Sequence, residues 1–395
     1  MAPIVQASVL RILDASLNRA GEGLRVVEDY VRFVLNDPIL TREAKGLRHD
    51  LATAATAIPT VDRHAARDTR ADVGTTISTA SETERSDAWS VCTASLKRAE
   101  QSLRSLEEYG KLLSDDFAGQ CEALRYRLYT LEKAIDVGRS SRDRLDQVTL
   151  CVLIDGGDSE KSFEQLVRAL VGAGVGMIQL RDKRLNDCEL VGRARTLVTL
   201  TRRQPPALPG VHSTDRQEPS AEPRAAGGSR TSTLAVVNDR ADIAAIVDAD
   251  GVHVGQEDLS VKDARAIVGP RMLIGVSTHN ISQARAAVLD GANYLGAGPT
   301  FASQTKSFDA FAGLGYLREV ADEVRLPTFA IGGISAGNVK EVLAAGISRV
   351  AVGAAVTAAA DPACAARELL SMLTTAQSVL RTVAEATSPS LALDS

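Results

Sequence analysis

The stretch Asn293-Tyr-Leu-Gly-Ala-Gly-Pro-Thr-Phe-Ala-Ser-Gln-Thr-Lys306 joins a short apolar run to a loop of glycines, a proline, hydroxyls and a cation. The apolar run reads as the end of a strand. Glycine lets a backbone approach a ligand closely, and Pro299 stiffens the exit. Ser303 and Thr305 then offer hydroxyls, and Lys306 adds a positive charge. Small donors and a cation after a strand suit a phosphate or diphosphate. An ordinary turn with a solvated lysine would explain this loop taken alone.

Moving outward, the same strand-then-loop pattern recurs. β-rich runs at 148–154, 177–181, 234–238, 251–255, 272–277, 294–298, 328–332 and 350–353 alternate with helical segments. Eight such units predict a (β/α)8 barrel over 148–376, with a tail at 377–395. A doubly wound sheet would more often open on a glycine-rich first turn, and Asp155-Gly-Gly-Asp158 is not the dinucleotide fingerprint. Residues 204–232, rich in Pro, Gly, Ser, Ala and Arg, read as a disordered insertion ahead of the third strand, away from the strand C-termini.

Residues 1–140 lack this alternation. Leu13, Leu17, Leu24, Val27, Val31 and Val34 recur at helical spacing, which predicts an all-α domain. It contains a repeat. Leu17-Asn-Arg-Ala-Gly-Glu-Gly-Leu-Arg-Val-Val-Glu-Asp-Tyr30 matches Leu96-Lys-Arg-Ala-Glu-Gln-Ser-Leu-Arg-Ser-Leu-Glu-Glu-Tyr109, 79 residues on. This predicts a duplicated helical hairpin packed as an antiparallel bundle. Its polar face, including Arg11, Asp14, Asn18, Glu22, Arg25, Asp29 and Arg32, suits either a solvated surface held by ion pairs or a polar pocket between the hairpins. The charged segment 141–147 reads as a linker.

Composition narrows the function. An apolar content of 45% predicts a packed core, and a net charge of -5 argues against nucleic acid or a membrane surface as partner. Five scattered cysteines, without metal spacing, suit reduced thiols in the cytoplasm. Small-molecule substrates are the expected partners, and a homo-oligomeric state is left open.

In a barrel, chemistry gathers at the strand C-termini. The second strand ends Gln179-Leu-Arg-Asp-Lys183, and alternation turns Gln179, Arg181 and Lys183 to one side. An amide and two cations there can hold a heterocycle and its anionic tail. Asp239 and Asp258 follow adjacent strands and could share Mg2+, which takes one or two carboxylates plus substrate phosphate oxygens. For Asp258 a helix-capping role is an equal alternative. Ser277 ends the fifth strand as a hydrogen-bond donor, whereas His279 reads as structural. Ile331-Gly-Gly-Ile334 and Val352-Gly-Ala-Ala355 give the glycine-rich ends of a phosphate cradle.

These motifs occur in order: Gln179-Leu-Arg-Asp-Lys183, Asn238-Asp-Arg240, His253-Val-Gly-Gln-Glu-Asp258, Gly275-Val-Ser-Thr-His279, Gly298 to Lys306 and Ile331 to Ile334. Together they resemble the thiamine-phosphate synthase family over residues 148–373. The resemblance implies a transferase that joins 4-amino-2-methyl-5-hydroxymethylpyrimidine diphosphate to 4-methyl-5-(2-phosphoethyl)thiazole or its carboxylated form. It implies the pyrimidine diphosphate at Gln179, Arg181, Lys183, Asn238, Ser277 and Lys306, with Arg181, Lys183 and Lys306 catalytic. It implies Mg2+ at Asp239 and Asp258, and the thiazole phosphate at Ser303, Thr305, Gly333, Gly353 and Ala354. Gly353-Ala354 stands where a serine is common, so only backbone donors remain there. The helical half resembles a ThiD-like domain fused to thiamine-synthesis enzymes, which implies a hydroxymethylpyrimidine kinase role, although no P-loop is present. A TenI-like thiazole tautomerase and a non-catalytic phosphate-ligand sensor are the rival readings.

Overall fold

The computed structural model describes residues 3–69, 85–202, 233–301 and 312–387. The chain divides into two compact units, one built on the residues up to Ser140 and one containing every strand.

The first unit is helical: α1 (Pro3–Asp29), α2 (Pro38–Ala54), α3 (Thr60–Ala66), α4 (Ala88–Gly110) and the 140-and-below part of α5 (Asp115–Leu145). After α1 the chain widens into a π-helical turn, Tyr30–Val34. Asp37 then caps α2, accepting from the backbone N–H groups of Ile39 and Leu40, with Pro38 at its first position. α1 packs on α2 and on α4. The contact with α4 is close because Gly23 leaves room; a Cβ there would lie 2.8 Å from the Ser95 carbonyl oxygen. The matching position in the second copy, Ser102, is also small and buried.

The repeat extends to the ion pairs. Glu28 and Glu107 are both buried. Each meets the arginine three residues earlier, Arg25 at 3.6 Å and Arg104 at 2.7 Å. Each also binds an arginine of the following helix: Arg48 of α2 at 2.8 Å, and Arg125 of α5 at 2.8 Å. Asp14 is buried too and receives Arg67 bidentately at 2.7 and 2.9 Å. So much of the polar face is a network of paired charges.

The second unit is a closed, all-parallel barrel in the order β1 to β8. The strands are β1 (Leu150–Ile154), β2 (Met177–Leu180), β3 (Leu234–Asn238), β4 (Gly251–Val254), β5 (Leu273–Thr278), β6 (Tyr294–Ala297), β7 (Thr328–Ile331) and β8 (Val350–Val352). The intervening helices are α6 (Glu160–Ala173), α7 (Asp187–Thr201), α8 (Ala241–Ile246), α9 (Val261–Val268), α10 (Ile281–Asp290), α11 (Gly313–Glu323) and α12 (Val339–Ala344), followed by α13 (Ala354–Thr357) and α14 (Pro362–Thr387). Capping boxes start α6 and α7 at Ser159 and Asn186. Cys151, Met177, Val236, Leu273, Tyr294, Phe329 and Ala351 point inward and fill the barrel.

Two sequence expectations change. The linker at 141–147 is largely helix, since α5 runs to Leu145. Ser141 is fully buried, and Leu145 packs into the barrel core rather than facing solvent. The tail at 377–395 is helical as far as Thr387. The insertion at 204–232 lies outside the described residues. All five cysteines are free, and no helix among the described residues is long and apolar enough to cross a membrane.

Candidate active site

Strand register brings most of the sequence candidates to one end of the barrel. Gln179 faces inward and is buried; its Nε2 donates to Asn238 Oδ1 at 2.6 Å. That bond fixes both amides. Among the described residues, the Asn238 amide N–H groups have no acceptor and the Gln179 carbonyl oxygen no donor, so one can donate and the other accept. The loop after β2 is held by Asp182, whose carboxylate accepts from the backbone of Gly156 and Arg184 and from the Arg184 guanidinium. Those donors hold Asp182 well below the ordinary carboxylate range, against the opposing effect of burial. The anchored loop carries Arg181, half-buried, and Lys183, exposed.

Asp239 follows β3 in a left-handed conformation, φ 61°, which aspartate tolerates better than most residues. Its N–H donates to the His253 carbonyl at 2.8 Å. Asp258 folds back to accept from Gly255 N–H at 2.8 Å. The two carboxyls then lie within hydrogen-bonding reach of each other. Burial, followed by the Asp258 carboxyl, pushes Asp239 up to about 6, while Lys183 and Arg181 pull it down. A carboxylate pair of which Asp239 is half-buried and Asp258 exposed, with two cations in its field, is a place for a proton or a hard cation. No group of three metal-ligating side chains occurs among the described residues. Two carboxylates fit a cation that completes its shell with ligand oxygens.

Ser277, at the end of β5, has its Oγ 2.9 Å from His253 Nε2, and Gln256 Nε2 donates to its carbonyl. His253 stood inside a recognisable motif without a role. A histidine at an inward strand position flanked by the glycines of β5 and β6 was the available signal. His279, read as structural, has Nδ1 2.6 Å from the Gly298 carbonyl oxygen, at the cis Gly298-Pro299 bond.

On the far side of the mouth, Gly332 and Gly333 both have positive φ, 103° and 64°. At Gly332 a side chain has no space, because a Cβ would lie 2.8 Å from Pro299. Gly333 is exposed, and its carbonyl accepts from Asn338. Gly353 precedes α13, and Ala354 begins it. Ser303, Thr305 and Lys306 lie outside the described residues.

Comparison with known proteins gives consistent findings. A family model described as thiamine monophosphate synthase matches residues 212–356, and the ThiD2 family model matches residues 11–134. A thiamine-phosphate synthase of Rhodopirellula baltica is 43% identical, covering 87% of this chain and 87% of that protein. One from a Nostoc species is 37% identical over 93% of this chain and 95% of its own length. A solved thiamine phosphate pyrophosphorylase from Pyrococcus furiosus is 31% identical, covering 58% of this chain and 97% of that one, with a TM-score of 0.46.

Proposed function

The chain belongs to the thiamine-phosphate synthase family, a transferase of thiamine biosynthesis, and on that premise we propose how its barrel joins its substrates. The substrates in this reading are 4-amino-2-methyl-5-hydroxymethylpyrimidine diphosphate and 4-methyl-5-(2-phosphoethyl)thiazole, or its carboxylated form. The supporting observation is the meeting of Asp239 and Asp258 within the field of Arg181 and Lys183. That combination of cations and a carboxylate pair suits a diphosphate bound with a hard cation.

Gln179 and Asn238 hold the pyrimidine, offering one acceptor and the N–H donors of the second amide to a ring that carries both kinds of group. Ser277 adds a hydroxyl. Arg181, Lys183 and Lys306 take the diphosphate and stabilise the charge it gains as the C–O bond breaks. The bonding pair leaves on diphosphate, and the ring amino group stabilises the methylene cation. The thiazole nitrogen then attacks that carbon. No side-chain nucleophile is required, so catalysis is placement and leaving-group stabilisation. Ser303, Thr305, Gly333, Gly353 and Ala354 hold the thiazole phosphate. Asp239 and Asp258 would hold Mg2+, whose chemistry there is charge neutralisation on the diphosphate.

The helical unit, 1–140, is a separate domain in this reading, and its ThiD2 match supports a kinase role toward the hydroxymethylpyrimidine. The thiols suit the cytoplasm. A tautomerase or a sensor would need neither the carboxylate pair nor its cations. The test is to incubate the full chain with Mg2+, thiazole phosphate and the pyrimidine diphosphate, and to measure thiamine phosphate. A parallel reaction with the unphosphorylated pyrimidine and ATP tests the helical unit. No product in the first reaction overturns the barrel reading; product only in the first overturns the kinase.

A further inference from the structure

Below the mouth of the barrel lies a hydrogen-bonded chain, Tyr294–His253–Ser277. The Tyr294 hydroxyl is 3.3 Å from His253 Nδ1, and His253 Nε2 is 2.9 Å from Ser277 Oγ. Tyr294 and His253 are 2% and 8% exposed, so the bond between them is buried. The two rings fit because their neighbours are glycines. A Cβ at Gly275 would lie 2.1 Å from Tyr294 Cζ and 2.5 Å from His253 Nδ1; one at Gly296 would lie 3.2 Å from His253 Cε1. Phe329 meets Tyr294 edge-on, centroids 5.7 Å apart, and holds the ring in place.

The donors can be counted. Both ring nitrogens of the buried His253 face hydroxyls and neither meets a carboxylate, so the imidazole is neutral with one N–H and one lone pair. Among the described residues, His253 Nδ1 is the acceptor within reach of the Tyr294 O–H. A buried O–H left without an acceptor is costly, so Tyr294 donates to Nδ1. The imidazole proton therefore sits on Nε2 and donates to Ser277 Oγ. Ser277 is an acceptor in that bond, and its own proton is directed elsewhere.

We infer that Tyr294 and His253 are positioning residues that fix one imidazole tautomer, so that the Ser277 O–H is not spent on His253 and is presented as a donor to the substrate. The group that meets the Ser277 O–H is then a hydrogen-bond acceptor, such as a ring nitrogen or a phosphate oxygen. This rests on the reading that Ser277 faces the pyrimidine substrate.

The test uses the full chain labelled with 15N-histidine. The His253 signals are assigned by their loss in His253→Gln. The expected spectrum has a protonated Nε2 and an unprotonated, hydrogen-bonded Nδ1 from pH 6 to 8. Tyr294→Phe should mix the tautomers and lower kcat/KM about tenfold, the loss of one hydrogen bond. In a Ser277→Ala background the same substitution should leave kcat/KM unchanged, because the hydroxyl it orients is gone. Equal losses in both backgrounds would show a merely structural tyrosine and overturn the inference, as would an Nδ1–H tautomer in the unsubstituted protein. The spectrum decides the tautomer even if Tyr294→Phe fails to fold. Absence of coupling activity would overturn the substrate reading separately, without altering the tautomer result.

Discussion

The duplicated ion pairs offer a comparison within one molecule. Glu107 and Glu28 occupy equivalent positions, yet their partners differ in access to water. Arg125 is 8% exposed, between α4 and α5, with its guanidinium over the rings of Tyr126 and Tyr129. Glu107 meets it at 2.8 and 2.9 Å. The side chain of Arg48, the partner of Glu28, is 32% exposed. Glu107→Gln leaves Arg125 charged, buried and without its counter-ion. Breaking a buried pair from one side costs about 3 to 5 kcal/mol, and the aromatic faces should keep this one near the lower figure. After Glu28→Gln, Arg48 can turn to water, so the cost falls to about 1 kcal/mol. The assay is urea unfolding of the full chain followed by tryptophan fluorescence. The chain has 1 tryptophan, Trp89 on α4, so the signal reports the helical unit. With a typical urea dependence of about 2 kcal/mol per M, the two midpoints should differ by roughly 1 M. Equal midpoints, or a larger loss for Glu28→Gln, would refute the claim that burial of the partner sets the cost.

Three further outcomes are expected. Asp239→Asn, which keeps a residue tolerant of positive φ, should stabilise the metal-free protein at neutral pH. The folded Asp239 titrates near 6 against an ordinary 3.8, so its contribution is fully present below 3.8 and lost as pH rises through 6. Thermal unfolding in chelator should show the unsubstituted protein falling behind the variant by about 1 kcal/mol between pH 4 and 7, after discounting for solvent screening. No pH-dependent gap would sink the assigned shift. Gly275→Ala should destabilise the barrel by about 1 to 3 kcal/mol, as its Cβ would enter the Tyr294 ring; unchanged thermal unfolding would show the slot is not tight. Lys306→Ala should lower kcat on the order of 100-fold with a smaller change in KM, and Lys306→Arg should recover part of it; near-normal steady-state kinetics for both would make Lys306 a solvated loop residue.

The sequence by itself determined the barrel, the helical unit and its repeat. Those follow from local periodicity: a strand or an amphipathic helix shows its buried face within a few residues, and a copied segment shows its partner by comparison. It also determined which candidate residues gather at the strand ends, because in a parallel barrel every strand C-terminus reaches the same face. Gln179, Asn238, Asp239, Asp258 and Ser277 were legible for that reason. Tertiary structure alone decided what these groups do to one another. The Gln179–Asn238 bond fixes two amide orientations across 59 residues of sequence, and Asp239 meets Asp258 only because β3 and β4 pair in one register. The Tyr294–His253–Ser277 chain depends on glycines in two neighbouring strands making room for two rings. Residues 141–147 read as a charged linker, since their sequence does not show that Leu145 has a core to enter. In each case the deciding quantity is a contact between distant segments, set by barrel closure and volume complementarity, and no local pattern encodes it.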